Sequence, residues 1–399
     1  MKRRFALVAV LSALPLLAAC GGGSMVRSAI DTVNPMNWFG SRSAAPEMAP
    51  LPAIVPTIKV LTLWQANIGN SEQAIFSPAI AGGSVYAAAY DGRITRLDAA
   101  SGKQLWRINA GEHLTGGVGA GGGLVVVGSG QGDVLAFDSS GTALWKTRVS
   151  SEVLAAPRVA QGVVVVRSAD GRIFGLDAQD GKRMWYYQRS MPTLTVRSPV
   201  GISVHAGIVY AGYAGGKLVA IDLSNGEVRW EATVALPHGT TELERVTDVI
   251  GLPVIEGREV CAVAYQGRIG CFDLANGETL WGREMSSTSG LALDARYAFV
   301  SDDKGMVYAL DRSTGTSVWR QDKLSLRNLS APLALGQEIV VADIQGYVHF
   351  LDRDSGAFVG RVATDGSPVS TTPLALPDGG FLIQTRDGGL YAFAVRKRE

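Results

Sequence analysis

One module recurs along this chain and constrains its fold more than any other feature. It reads Gly, a short alternating apolar stretch, Asp, a Gly turn, then Trp. "DGRITRLDAASGKQLW" ends at Trp106, "QGDVLAFDSSGTALW" at Trp145 and "DGRIFGLDAQDGKRMW" at Trp185. "GGKLVAIDLSNGEVRW" ends at Trp230, "QGRIGCFDLANGETLW" at Trp281 and "KGMVYALDRSTGTSVW" at Trp319. A seventh copy, "QGYVHFLDRDSGAFVG", has Gly360 in the Trp position, and an eighth opens as "DGGLYAFAV" and stops with the chain. The aspartates stand at Asp98, Asp138, Asp177, Asp222, Asp273, Asp311 and Asp352, at intervals of 38 to 51 residues. That period suits the four-stranded blade of a β-propeller.

Within each unit the pattern is that of a meander. An apolar strand follows a Pro (Pro78, Pro157, Pro199, Pro253, Pro332, Pro373), then a Gly turn, an aliphatic strand, a polar hairpin and the strand that ends at the Asp. A turn Asp accepts from nearby backbone N–H groups, and the Gly after it takes positive φ. Trp supplies a flat surface to wedge between sheets, with its N–H free for a carbonyl. Seven equivalent carboxylates therefore read as structural, because catalysis or metal binding needs one asymmetric constellation. Trp64, in "TLWQANIG", has no Asp and Gly turn ahead of it. It supplies the strand that the eighth copy lacks. The expected fold is all-β: an eight-bladed propeller of four-stranded antiparallel blades over 57–399, closed by the N-terminal strand pairing with the C-terminal blade.

The 47% hydrophobic content allows a sizeable core, and 49 Gly with 18% charged residues favours turns over long solvated helices. A net charge of +1 gives no electrostatic case for nucleic acid. Lys2, Arg3 and Arg4 precede an apolar run, Phe5 to Ala19, too short to span a bilayer, so 1–19 reads as a signal peptide. The run ends Leu17-Ala18-Ala19-Cys20. Residues 20–56, with "GGGS" and "SRSAAPEMAPLPAIVP", read as a flexible tether of about 36 residues that reaches roughly 33 Å, with a short helix near Val26–Val33. Cys261 and Cys271 flank a hairpin turn at Gln266 and Gly267. They read as two buried thiols packing as small hydrophobes, with a cross-strand disulfide as the alternative. With no His nearby they form no metal site.

The repeat D-x-x-[ST]-G-x-x-x-W resembles the tryptophan-docking motif of quinoprotein-type propellers, from about residue 60 to 395. Quinone-cofactor dehydrogenases share it, but they add long inserts, a Ca²⁺ site of Glu, Asn and Asp, a catalytic Asp and often a vicinal Cys pair. This chain has no vicinal Cys pair, and His113, His205, His238 and His349 are scattered. The expectation is a protein that is not an enzyme, with no catalytic residue, metal or cofactor. Cys20 resembles the acylated Cys of bacterial lipoproteins, and Gly21 after it, by the same resemblance, favours the outer membrane. Anchor, tether and propeller together resemble the BamB family, lipoproteins of the machinery that assembles outer-membrane β-barrels. The resemblance implies a scaffold held in the outer membrane by its lipid alone and facing the periplasm. It would bind the periplasmic domains of the barrel-forming subunit and handle unfolded outer-membrane proteins. A propeller scaffold of another envelope complex is the remaining alternative.

Departures from the repeat show where to look for a binding site. Trp64 to Pro78, Trp145 to Pro157 and Trp319 to Pro332 span 12 to 14 residues, but Trp230 to Pro253 spans 23. The inserted "EATVALPHGTTELERVTDVIGL" and the preceding connection, "MPTLTVRSP", emerge as neighbours on one face. Together they are expected to expose Leu194, Val196, Leu236 and Val246 with Arg197, Glu242, Glu244, Arg245 and Asp248, an apolar centre with a charged rim. The BamB resemblance points to the same loops: Leu194, Thr195, Val196 and Arg197 match an LxLR-like stretch with Val in third place. Thr247 to Ile250 match an acidic stretch that retains Asp248 and replaces the second Asp by Ile250. The partner-binding set is therefore Leu194, Thr195, Val196, Arg197 and Asp248. The competing reading is an Arg197–Asp248 pair that only ties the loops together. A further expectation is capture of client strands at a blade edge by β-augmentation.

Overall fold

The structure, a computed structural model, describes residues 47–397. The expected signal peptide, Cys20 and the expected tether as far as residue 46, including the helix expected near Val26–Val33, lie outside the described residues. Among the described residues, thirty-two strands form eight four-stranded antiparallel sheets. Blades one to seven span 79–109, 119–148, 158–187, 202–233, 254–284, 290–321 and 333–363. Second strands such as Val163–Arg167 are buried along their whole length, because a neighbouring blade covers each face. Outer strands such as Gln104–Asn109 alternate, as half-exposed strands do. Successive strands run in opposite directions, so each blade's second hairpin and the connection to the next blade share one end of the ring. That end is called the loop face; the first hairpin and the Asp turn lie on the turn face.

Tryptophan locks each blade to the next. Every repeat indole donates to the carbonyl one residue past the next blade's Asp: Trp64 to Ala99 (3.0 Å), Trp106 to Ser139 (2.9 Å), Trp145 to Ala178 (3.0 Å) and Trp185 to Leu223 (2.9 Å). Trp230 donates to Leu274 (3.2 Å), Trp281 to Arg312 (2.6 Å) and Trp319 to Arg353 (2.8 Å). The ring lies flat on the turn glycine; at Gly102, with φ of +69°, a Cβ would stand 2.5 Å from the Trp64 ring. Each Asp holds its own turn by accepting backbone N–H groups, as Asp98 does from Ser101, Asp177 from Gln179, Asp273 from Ala275 and Asp352 from Ser355. Bonds from Ser224 and then Arg229 hold the Asp222 carboxyl down at about 2, and bonds within their turns lower Asp98, Asp138 and Asp311. These side chains are spent on structure.

The eighth blade closes the ring. Its order is β1 (Ile58–Asn67), β32 (Gly389–Lys397), β31 (Phe381–Gln384), β30 (Leu374–Ala375), with Ile58 opposite Lys397 and Asn67 opposite Gly389. The register places Ala394 where other blades carry the turn Asp, so blade eight offers no turn for a Trp from blade seven. Ile58 fills that place instead: a Cβ at Gly360 would lie 2.8 Å from its Cγ1. Restoring the repeat by Gly360→Trp is therefore expected to destabilise by about 1–3 kcal/mol, as overpacking does. A thermal melt checks this, and a raised midpoint would contradict it.

Two readings change. Cys261 and Cys271 form a disulfide: they are directly opposed on β19 (Glu259–Val263) and β20 (Arg268–Asp273), with Cα atoms 4.1 Å apart. The thiol reading fails because the register sets the two Cβ atoms face to face, which spacing alone does not show. Residues 49–57, read as the end of a slack tether, are bonded to blade seven and to the connection that precedes it. The Ala49 amide donates to Ser325 (3.0 Å), and the Thr57 amide to Val359 (2.9 Å) on β29 (Phe358–Ala363).

Candidate partner-binding face

The connections 188–201 and 234–253 lie side by side on the loop face. What joins them is Asp248, 4% exposed. Its carboxylate accepts from the Val196 amide (2.6 Å) and the Gly215 amide (3.3 Å), and its backbone bridges to Ala214. Burial pushes the carboxyl up despite those amides. Asp248 is thus a buried clamp that positions the 194–197 loop. The Arg197–Asp248 pair expected as the competing reading is absent. Arg197 pairs with Glu152 of the preceding connection, and its side chain stays 72% exposed. The Asp248 carboxylate is turned inward to those two amides, whereas the Arg197 guanidinium lies exposed against Glu152.

Leu194 is 43% exposed, Thr195 is exposed and Val196 is half-buried, its amide tied to Asp248. Along the insertion, the chain forms one helical turn with reciprocal capping. The Glu244 carboxylate accepts from the Thr240 amide (2.8 Å) and Thr241 amide (3.0 Å), while Thr241 Oγ1 accepts from the Glu244 amide (3.2 Å). The Thr241 and Thr240 amides hold the Glu244 carboxyl down at about 2. The turn displays Leu243, 72% exposed, and Leu236, 69% exposed, lies nearby in the same connection. Val246, expected on the surface, is half-buried. Leu243 escaped the sequence reading, although the Thr241-x-x-Glu244 capping signature marks an ordered turn around it.

Under the loops lies a cleft of about 270 Å³ lined by Arg167, Met191, Val196, Arg197, Val200 and Asp248. Arg167 is buried, stacks 4.7 Å from the Tyr213 ring centre and donates to the Gly212 carbonyl (2.6 Å). The face therefore joins a stiff scaffold to exposed Leu, Thr and Arg side chains, the makings of a binding surface.

Chemistry elsewhere is occupied. Buried His349 receives Arg361 Nε at Nδ1 (3.1 Å) and meets Asp343 through Nε2 (3.0 Å), so neither nitrogen is free to act as a base. Among the described residues no group of three or more His, Cys, Asp or Glu could hold a metal.

Fold and loops together define a class: tryptophan-docked eight-bladed propellers whose irregularity gathers in two adjoining loops. The family model for "Outer membrane protein assembly factor BamB" matches residues 62–112 and 90–321. A relative of that name from Nitrosomonas eutropha is 43% identical over 98% of this chain and 95% of its own length. Another from Bordetella pertussis is 40% identical over 92% of this chain and 95% of its own. The crystal structure of BamB from Moraxella catarrhalis superposes with a TM-score of 0.78 at 28% identity, covering 84% of this chain and all of that one. A quinohemoprotein alcohol dehydrogenase from Comamonas testosteroni shares the fold alone, with a TM-score of 0.67 at 13% identity over 84% of this chain and 76% of its own. The chain belongs to the BamB family.

Proposed function

We propose that this protein is a non-catalytic scaffold of outer-membrane protein assembly, anchored through an acylated Cys20 with its propeller in the periplasm. Its loop face binds the periplasmic domains of the barrel-forming assembly subunit, and the assembly helps unfolded outer-membrane proteins to insert. Leu194, Thr195, Val196 and Arg197 make the contact, joined by Leu236 and Leu243 of the insertion. Asp248 acts behind them by fixing the loop. The observation that carries this reading is the display of exposed leucines beside a largely exposed Arg on two adjoining connections that the Asp248 carboxylate ties together. The names of its relatives support the assembly role. The absence of catalysis is supported by repeat aspartates spent on turns and a His349 with both nitrogens engaged.

Arg197→Ala and Leu194→Asp are each expected to weaken binding to the barrel-forming subunit about tenfold to a hundredfold, the loss typical of a hot spot. Melting temperatures should stay unchanged, since both side chains are exposed. Titration of the subunit's periplasmic domains measures this, and wild-type affinity in both variants would reject the face.

A further inference from the structure

We propose that residues 48–57 are a strap that carries the membrane tether across the ring, so that the anchored chain leaves on the loop face. β1 is the outermost strand of blade eight and runs from the turn face to the loop face. The residue before it therefore starts on the turn face, where Thr57 bonds Val359 at the head of β29. A chain free to depart there would leave among the Asp turns, on the side opposite the Leu194 and Leu243 loops. It doubles back instead. Midway along β29, Arg361 Nη2 donates to the Pro52 carbonyl (3.1 Å). At the far end, Arg327 Nη1 donates to the Ala49 carbonyl (2.9 Å), next to the Ala49–Ser325 backbone bond. Ser325 and Arg327 belong to the connection between blades six and seven, which lies on the loop face. Eight extended residues reach about 26 Å, enough to cross the height of a blade.

The seat is built from the interior. Arg327 is 1% exposed and binds Asp343 through Nε (2.6 Å) and Gln345 through Nη2 (2.5 Å). Asp343 meets His349, and His349 receives Arg361. The two guanidinium groups that touch the strap are thus fixed by one network. On the strap side, "APLPAIVP" suits the seat: Pro50, Pro52 and Pro56 hold the backbone extended and carry no N–H, so carbonyls are what the segment offers. Recognition pairs carbonyls already held extended by the prolines with two fixed guanidinium groups, so the path depends on the prolines as well as on the arginines.

The consequence for the membrane rests on the anchoring of Cys20 proposed above; the path of the strap does not. A tether that starts at the loop face ties the anchor to the side that carries the partner loops, and leaves the seven Asp turns on the other side.

Spin-label distances in the full-length protein on phosphatidylethanolamine–phosphatidylglycerol vesicles test this. One label goes at Met48→Cys, and the second at Lys304→Cys on the loop face or Thr314→Cys on the turn face of blade six. The expected result is a short, narrow 48–304 distance and a 48–314 distance longer by roughly 20 Å, one strand length. The Arg327→Ala/Arg361→Ala pair should broaden both. Because a buried Arg is lost there, a second variant replaces 49–55 by Gly and Ser, leaves the network intact and should broaden them equally. Broad distances in the wild type, or narrow ones in the Gly–Ser variant, would overturn the strap. Cys20→Ser should keep the wild-type distances and lose the membrane; a chain that stays bound would overturn the anchor while leaving the strap.

Discussion

Deleting residues 57–70 is expected to abolish the cooperative melting transition, while deleting 21–46 leaves it in place. The first deletion removes β1, which pairs with β32 from Ile58 to Asn67 and makes two blade junctions at once. Ile58 packs with Val340 and Phe350 of blade seven, and Trp64 with Val85 and Leu97 of blade one. With Ile68, these are three buried side chains worth about 2 kcal/mol each, or roughly 6 kcal/mol before any ladder bond is counted. A domain's whole stability is about 5–15 kcal/mol. The deletion also leaves β32 as an open edge, a template for aggregation. Circular dichroism during heating measures both deletions, and equal midpoints would refute closure by the N-terminal strand.

The blade was legible because its signals are local. Asp, Gly and Trp stand close together, and each does the job its chemistry predicts, so counting copies gave the architecture and Trp64 gave the closure. Gly360 was visible as an exception, but its reason lies in Ala394 and Ile58, which meet only in the closed ring. The candidate face was legible to the level of the loop and less so to the level of the side chain. An Asp in an exposed-looking insertion gives no sign that it points inward, and two backbone amides decide that for Asp248. The Cys pair needed the register. The strap was hidden most completely. A Pro- and Ala-rich segment without period reads as a linker, and the arginines that hold it lie 278 and 309 residues away.

The same network makes Asp343 the residue where a point substitution is expected to cost most. Asp343→Ala strips the carboxylate that accepts Arg327, His349 and the amides of Gln345 and Tyr347, and leaves a guanidinium buried without its counter-charge. Breaking a buried pair in this way costs about 3–5 kcal/mol. The denaturation midpoint should fall accordingly, and a loss below about 1 kcal/mol would mean that the guanidinium had found water. Acid acts on the same group. Burial pushes the His349 pKa down against the opposing pull of Asp343, with Arg361 and Arg327 adding to the depression. A lowered folded value means that the unfolded chain takes the proton more readily. This stabilisation is therefore present above the ordinary His value of about 6.5 and is lost as pH falls below it. Burial raises the Asp343 carboxyl, but bonds from His349, the Tyr347 amide and Arg327 outweigh it and leave the value lowered, so its share is lost only further down, below about 4. His349→Gln keeps an N–H for Asp343 and cannot be protonated. It should therefore show a smaller drop in urea midpoint between pH 7.5 and 5.5 than the wild type does. The raised carboxyls of Asp248, Asp302 and Glu338 are common to both chains and cancel in that comparison. Equal drops would show that His349 takes its proton without disturbing the seat, and would place the acid sensitivity of the ring elsewhere.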